Sequence, residues 1–278
     1  MTPKICPQEP NAWKVVFGVL ICLGILISYV PQFYAIHANK SSKGISIWFL
    51  FLGLIGTVST ISNVVLLQSQ SISCCLTDWP ISYCLQDTLG IIQTALQFIC
   101  FSTVVILVYK HFPVNTAPDE ETEELLPKEV DTDVSWNTAN NILFSMIFYL
   151  AITFTLVSVL LCLESLVPNT NLKSTWAGIL GMIAVISGIF QYLPQVVFTA
   201  VKRDFGALSI QTLLMQSPGS FAFAFSLSLQ PGTNWTSWIS FIICGSFQLM
   251  LILMFFGFKV FPSVSEEVII EPEPISKF

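Results

Sequence analysis

The chain has 278 residues, of which 54% are hydrophobic and only 10% are charged, and its formal net charge is −6. Its mean hydropathy is +0.74. Because soluble domains carry about 25% charged residues, this composition excludes an ordinary soluble globular protein and indicates a chain embedded in a lipid bilayer, with no nucleic-acid partner.

Seven uncharged segments are apolar and long enough to cross a membrane, since about 20 helical residues span the hydrocarbon core. In chain order they are Val15–Ile36, Ile45–Leu67, Thr88–Tyr109, Asn141–Leu163, Trp176–Val201, Ala207–Leu229 and Trp235–Phe258. The first is too long for the apolar region of a signal peptide and no small-residue cleavage site follows it, so we predict that it is retained as a helix.

The basic residues predict the orientation, because cytosolic loops near membrane spans are enriched in Lys and Arg. One side of the membrane receives Lys40, Lys43, Lys110, Lys128, Lys202, Arg203, Lys259 and Lys277. The other side receives Lys4, Lys14 and Lys173. We therefore predict a lumenal or extracellular amino terminus and a cytosolic carboxyl terminus. Two acidic stretches, at 119–133 and 266–273, then lie in the cytosol, where we expect them to be solvated.

An internal repeat links the first and the fifth segment. The matched pairs, which lie 163 residues apart without a gap, are Gly18 and Gly181, Tyr29 and Tyr192, Pro31 and Pro194, Gln32 and Gln195, and Gly56 and Gly219. A register that holds over about one and a half spans predicts two related units. Because one linker span separates two units of three spans each, both units are predicted to run in the same direction.

These patterns predict an all-α membrane protein with seven transmembrane helices, in which two parallel three-helix-bundle repeats are joined by a linker helix. The first repeat is predicted at 1–110, an acidic cytosolic loop with the linker span at 111–175, the second repeat at 176–260 and a cytosolic tail at 261–278. The sequence predicts no oligomeric state.

Seven spans in a three-one-three order, with a Pro-Gln pair near the cytosolic end of the first and fifth, resemble the PQ-loop repeat family. That family includes cystinosin-like lysosomal and vacuolar amino-acid exporters, and the SWEET sugar facilitators and the KDEL receptor share its fold more distantly. The resemblance implies a membrane transporter of a small solute, most readily an amino acid, by rocking of the two repeats. It does not imply a particular solute, because one fold hosts many functions.

The spans depart from the proton-coupled and cation-selective relatives, because they contain no acidic side chain. Asp87 and Glu164 lie only at predicted lumenal borders. We therefore predict a facilitator or a weakly coupled exporter of a neutral or zwitterionic solute. Two alternatives stay open: a lipid scramblase or a partner of a flippase, and a cargo receptor, for which Lys14 and Lys173 are the candidate ligands of a carboxylate.

Uncharged polar side chains inside the spans are candidates for solute binding, since such groups are costly in lipid and usually face the bundle interior. Amides offer both a donor and an acceptor without charge. The candidates are Tyr29, Asn63, Gln93, Gln97, Gln191, Tyr192, Gln216 and Gln248. The resemblance adds weight to Gln97 and Gln248, because the third helix of each repeat supplies the binding amides of SWEET-like proteins. The alternative is that these amides only hold helices together.

Prolines within the spans are predicted to act as hinges, because proline removes a backbone donor and clashes with the preceding turn. The hinge candidates are Pro31, Gln32, Pro194, Gln195 and Pro218. We expect the two glutamines to form hydrogen bonds across helices. The competing interpretation is a static bend. We also expect close helix packing at Gly24, Gly188 and Gly219.

Catalytic and metal-binding motifs are missing from the sequence, and both histidines, His37 and His111, lie at span ends, so we predict neither an enzyme nor a cofactor. Cys74 or Cys75 is expected to form a disulfide bond with Cys84, since all three lie on the predicted lumenal side.

A short motif in the acidic loop, at Glu121, Leu125 and Leu126, resembles the dileucine signals that adaptor complexes read. Together with the family resemblance, it predicts a vacuolar or lysosomal membrane, with the Golgi, endosomes and plasma membrane as alternatives.

Overall fold

The computed structural model describes Cys6 and the ranges 12–39, 46–112, 136–166, 171–202 and 210–260. Within these ranges every regular element is helical. The helices are α1 (Ala12–Asn39), α2 (Ile47–Leu67), α3 (Ser69–Thr77), α4 (Ile81–Asp87), α5 (Leu89–Lys110), α6 (Trp136–Leu166), α7 (Leu172–Lys202), α8 (Ile210–Ser228) and α9 (Trp235–Val260).

Six of these helices, α1, α2, α5, α6, α7 and α9, are long and apolar enough to cross a membrane. They lie on six of the seven predicted segments, and their ends differ from the predicted ends by a few residues only. The sixth predicted segment corresponds to α8, which has 19 residues. It is less apolar than the others because serine and glutamine interrupt it. The all-helical class is therefore confirmed for the described residues, and six helices match predicted spans in length and composition.

The helices pack in two groups. In one, α5 contacts both α1 and α2, and in the other, α9 contacts both α7 and α8. The groups meet along two interfaces, α2 against α7 and α1 against α8, of which the first is more extensive. The two groups make equivalent contacts when α1 is matched with α7, α2 with α8 and α5 with α9. For example, the α2–α7 interface then corresponds to the α1–α8 interface.

The helix α6 packs mainly on α2. The hydroxyl oxygens of Tyr149 and Ser59 lie 2.6 Å apart across this contact, and the Tyr109 hydroxyl of α5 donates to the Ala139 carbonyl of α6 at 2.5 Å. Apolar side chains of α6, such as Met146, join the core of the first group. Farther along the helix, Val157 and Leu160 of α6 share a second buried cluster with Ala177 and Leu180 of α7, so α6 packs mainly on the first group and also contacts the second.

Two short helices, α3 and α4, occupy the stretch that the sequence predicts as a loop between the second and third spans. A disulfide bond joins Cys75 of α3 to Cys84 of α4, and a second joins Cys74 to Cys6. The second bond ties the segment that precedes α1 to α3. We call the end of the molecule that carries these bonds the disulfide end, and the other end, where α1 and α5 finish beside His37, the opposite end.

Two glycines that the internal register matches allow close helix approaches, one in each group. A Cβ atom at Gly18 of α1 would lie 2.7 Å from a methyl carbon of Leu89 in α5. A Cβ atom at Gly181 of α7 would lie 2.6 Å from the backbone oxygen of Thr236 in α9. The two matched glycines of the internal register therefore make equivalent close contacts near the disulfide end, and at Gly181 the obstacle to a side chain is backbone.

The three glycines that were expected to pack closely behave differently. A Cβ atom at Gly188 would lie 2.8 Å from the sulfur of Cys244, which agrees with the expectation. At Gly24 and Gly219 nothing lies within 4 Å of such an atom. The expectation of close packing is wrong at these two positions, because both glycines face away from neighbouring helices.

Candidate solute site

Two tyrosine–glutamine pairs lie at equivalent places in the two helix groups. Gln97 Nε2 of α5 donates to the Tyr29 hydroxyl of α1 at 3.1 Å. Gln248 Nε2 of α9 donates to the Tyr192 hydroxyl of α7 at 2.8 Å. The sequence proposes all four residues as solute-binding candidates, and the structure brings them together in pairs.

The surroundings of the pairs are uncharged. Ser220 Oγ of α8 lies 3.3 Å from Gln248 Oε1, which extends the second pair to a third helix. The ring of Phe49 in α2 meets the Tyr192 ring edge to face, with centroids 5.7 Å apart, and Phe33 stacks on Tyr29 at 5.9 Å. The site offers hydroxyl and amide groups between aromatic rings, a combination that can bind neutral or zwitterionic molecules without a buried ionic group.

Two further candidates, Asn63 and Gln93, lie closer to the disulfide end and are wholly buried, with 0% of their surface exposed. Asn63 of α2 bonds with α7 and α9, and Gln93 of α5 bonds with α1 and α8. Both side chains are therefore occupied by interhelical hydrogen bonds in this conformation.

The amides toward the opposite end are half-buried rather than buried. Gln191 Nε2 donates to the Phe49 carbonyl at 3.2 Å and so joins α7 to α2. Gln195 Nε2 lies 3.5 Å from Thr199 Oγ1 of its own helix. Among the described residues, Gln32 and Gln216 have no side-chain partner. The expectation that Gln32 and Gln195 bond across helices is thus wrong in this conformation, and Gln191, one turn earlier, makes that contact instead.

The prolines lie within unbroken helices. Pro31 is inside α1, Pro194 inside α7 and Pro218 inside α8. All three rings are exposed on the outer surface of the bundle. Pro194 lines an open apolar depression of about 620 Å³ on the outside of α7, beside Phe190 and Val197. The proline rings therefore face the surroundings of the bundle. A hinge would depend on the backbone hydrogen bond that each proline removes and not on contacts of its ring.

The acidic and basic side chains that the structure describes lie outside this site. Burial raises the pKa of Asp87, at the end of α4, against the opposing effects of a hydrogen bond from Gln86 and the charge of Lys14. Lys173 Nζ lies 2.6 Å from Ser69 Oγ. No group of three or more metal-ligating side chains occurs among the residues that the structure describes. The motif at Glu121, Leu125 and Leu126 lies outside the described residues.

Sequence reasoning missed the hydroxyl partners of the amides, among them Ser220, Ser226 and Ser237, and the disulfide partner of Cys74. Ser226 bonds with Gln93, and Cys6 bonds covalently with Cys74. The internal register could have found Ser226, because it lies 163 residues after Asn63. The orientation places Cys6 on the same lumenal side as Cys74, Cys75 and Cys84, but a sequence does not specify which cysteines pair.

The long apolar helices and the uncharged polar interior define a multi-pass integral membrane protein. The sequence profile of the PQ loop repeat matches the chain twice, at residues 14–72 and 176–236. The chain is also similar to an uncharacterized protein of Schizosaccharomyces pombe, with 32% identity over 266 residues that cover 93% of this chain and 85% of that protein. This protein belongs to the PQ-loop repeat family, whose members are generally membrane transporters or receptors rather than enzymes.

Proposed function

We propose that this protein is a transporter for a small neutral or zwitterionic polar solute, with an amino acid as the leading class. The observation that carries the proposal is the pair of equivalent hydrogen bonds, Gln97 with Tyr29 and Gln248 with Tyr192. Uncharged donors and acceptors that converge from both helix groups suit a solute bound between them, and sites between repeats are common in transporters. With no acidic group beside these residues, facilitation or weak coupling is favoured over proton-driven export.

The proposed architecture has seven spans, with α8 as the sixth, and two parallel repeats joined by α6. The exchangeable helix contacts and the matched glycines support it. The disulfide end is proposed to face the lumen of a vacuole or lysosome, where disulfide bonds persist. Adaptor binding at the acidic loop is proposed as the route to that membrane.

The orientation predicts the labelling of two engineered thiols. We expect Ile81→Cys, at an exposed position of α4, to react with a membrane-impermeant maleimide only from the lumen. Ser265→Cys, in the proposed cytosolic tail, should react only from the cytosol. The measurement is labelling of sealed vesicles of known sidedness, and the reverse pattern would overturn the orientation.

Transport is tested with purified protein in liposomes. A thermal-shift screen of amino acids, sugars and nucleosides identifies the best ligand, whose counterflow is then measured. We expect Tyr29→Phe and Tyr192→Phe to weaken apparent affinity about fivefold each, which corresponds to the loss of one net hydrogen bond of about 1 kcal/mol. Ser158→Ala is the control, because the Ser158 hydroxyl is exposed and bonds only to its own helix, at the Phe154 carbonyl.

The alternatives give different results in the same liposomes. Movement of labelled lipid without solute counterflow supports a scramblase. Binding of a soluble lumenal protein or peptide without either activity supports a cargo receptor. The second alternative has a physical difficulty, because Lys173 is bonded to Ser69 and Lys14 lies near Asp87.

A further inference from the structure

Two hydrogen-bonded clusters near the disulfide end connect the helix groups. We infer that Asn63, together with Gln93 and Ser226, forms a pair of equivalent latches that hold the bundle closed at this end, and that both must break before the solute site can open there. This inference rests on the proposed transport function, and it assigns to Asn63 and Gln93 a positioning role instead of direct solute binding.

The first latch joins α2 to two helices of the other group. Asn63 Nδ2 donates to the Ala177 carbonyl of α7 at 2.6 Å and to Thr236 Oγ1 of α9 at 3.1 Å. Asn63 Oδ1 accepts from Ser237 Oγ of α9 at 2.8 Å. Both amide donors and the amide oxygen are therefore used, so this side chain has little capacity left for a ligand.

The second latch joins α8 to two helices of the first group. Ser226 Oγ lies 2.9 Å from Gln93 Nε2 and 3.0 Å from Gln93 Oε1. Gln93 Nε2 also donates to the Gly18 carbonyl of α1 at 3.2 Å. Ser226 has only 2% of its surface exposed. The two latches are therefore equivalent. The first connects α2 to α7 and α9, and the second connects α8 to α1 and α5.

The internal register relates the two latches. Asn63 and Ser226 lie 163 residues apart, the same separation that relates Gly18 to Gly181. Each latch also adjoins one of the close glycine contacts: Gln93 bonds to Gly18, and Thr236, a partner of Asn63, packs on Gly181. Simultaneous closure of the α2–α7 and α1–α8 interfaces requires bonds at equivalent places in both, and the two latches supply them.

The distribution of buried amides fits a bundle that is closed at this end. Asn63, Gln93 and Gln68 are buried on the disulfide side, whereas Gln195 and Gln216, toward the opposite end, are partly exposed. Buried polar groups without partners are costly, so separation of the helices at the disulfide end requires that water or solute replaces these bonds. The latches thus set a free-energy difference between the two conformations.

Two native thiols report on the latches. Cys100 belongs to the same buried cluster as Tyr29, and the sulfur of Cys244 faces Gly188, one turn before Tyr192. In a protein that carries Cys22→Ala and Cys162→Ala, they are the remaining free thiols. A membrane-impermeant maleimide, added on the side that labels Ile81→Cys, should modify them slowly when the latches are intact.

We expect Asn63→Leu and Gln93→Leu each to raise the labelling rate about tenfold, because two or three interhelical bonds in a membrane together contribute about 1.4 kcal/mol. Ser226→Ala and Ser237→Ala, which remove a single hydroxyl, should give smaller increases in the same direction. Ser246→Ala is the matched control, because its exposed hydroxyl bonds only to the Ile242 carbonyl of its own helix. It should leave the rate unchanged.

The fold of each variant is checked by the thermal midpoint in detergent and by the intact disulfide bonds. Unchanged labelling in Asn63→Leu and Gln93→Leu that keep their fold would overturn the latch. If either leucine variant fails to fold, Ser226→Ala and Ser237→Ala test the latch instead. An unchanged labelling rate in both of these variants would also overturn it. Labelling reads conformation only: faster labelling without solute counterflow in the unmodified protein supports the latch and contradicts the proposed transport.

Discussion

Pro31→Ala and Pro194→Ala should each reduce transport to near background while the protein still folds and reaches its membrane. Alanine restores a backbone donor, which closes the gap at the Ile27 or the Phe190 carbonyl and stiffens the helix. Helices without proline are intrinsically more stable, so the loss would reflect a lost bend and not a lost fold. The measurement is initial-rate counterflow in liposomes, normalised to the amount of inserted protein.

The control for this series is Pro80→Ala, since Pro80 lies before α4 and outside the long helices. Gln32→Ala and Gln195→Ala should lower transport less, because neither amide bonds across helices in this conformation. Loss of transport only together with loss of expression would favour a static bend. Normal transport in both proline variants would remove the hinge from the mechanism.

Gly181→Ala should destabilise the folded bundle by about 1–3 kcal/mol, the usual cost of adding a methylene group to a well-packed site. The added Cβ atom would lie 2.6 Å from the backbone oxygen of Thr236, so α7 and α9 would have to move apart. Gly18→Ala should cost less, since its nearest neighbour is the end of the Leu89 side chain, which can turn away. The measurement is the midpoint of denaturant unfolding in mild detergent.

Gly178→Ala is the matched control for Gly181→Ala. It lies one turn earlier in α7, and no atom lies within 4 Å of an added Cβ. Because alanine has the higher helix propensity, this variant should be as stable as the unmodified protein or more stable. Equal midpoints for the two alanine variants would show that the close approach of α7 to α9 contributes nothing.

The long helices could be predicted from the sequence because each is an uncharged apolar run, and the bilayer thickness sets its length. The two short helices could not. α3 and α4 have nine and seven residues, and helices this short are marginal without tertiary contacts. Disulfide bonds at Cys74, Cys75 and Cys84 hold them, and their pairing with Cys6 cannot be read from spacing.

The candidate site was predictable as a set of residues but not as an arrangement. Tyr29 and Tyr192 follow the 163-residue register, yet their partners Gln97 and Gln248 lie only 151 residues apart. The stretch with α3 and α4 displaces α5 from that register relative to α9. Which glutamine meets which tyrosine therefore depends on tertiary packing. Tertiary packing also engages the Asn63 side chain in interhelical hydrogen bonds. The residue type alone could not predict this.

The two interfaces between the helix groups differ in extent, and we expect this difference to decide where the wider gap forms. The α2–α7 contact is the longer one, with Asn63 bonded near one end and the Phe49 carbonyl bonded to Gln191 near the other. On the other side, the described hydrogen bonds between α8 and the first group lie at the disulfide end, where Ser226 bonds to Gln93 of α5 and Gln93 bonds to the Gly18 carbonyl of α1. We therefore expect that, once both latches have broken, the gap between α1 and α8 is wider than the gap between α2 and α7.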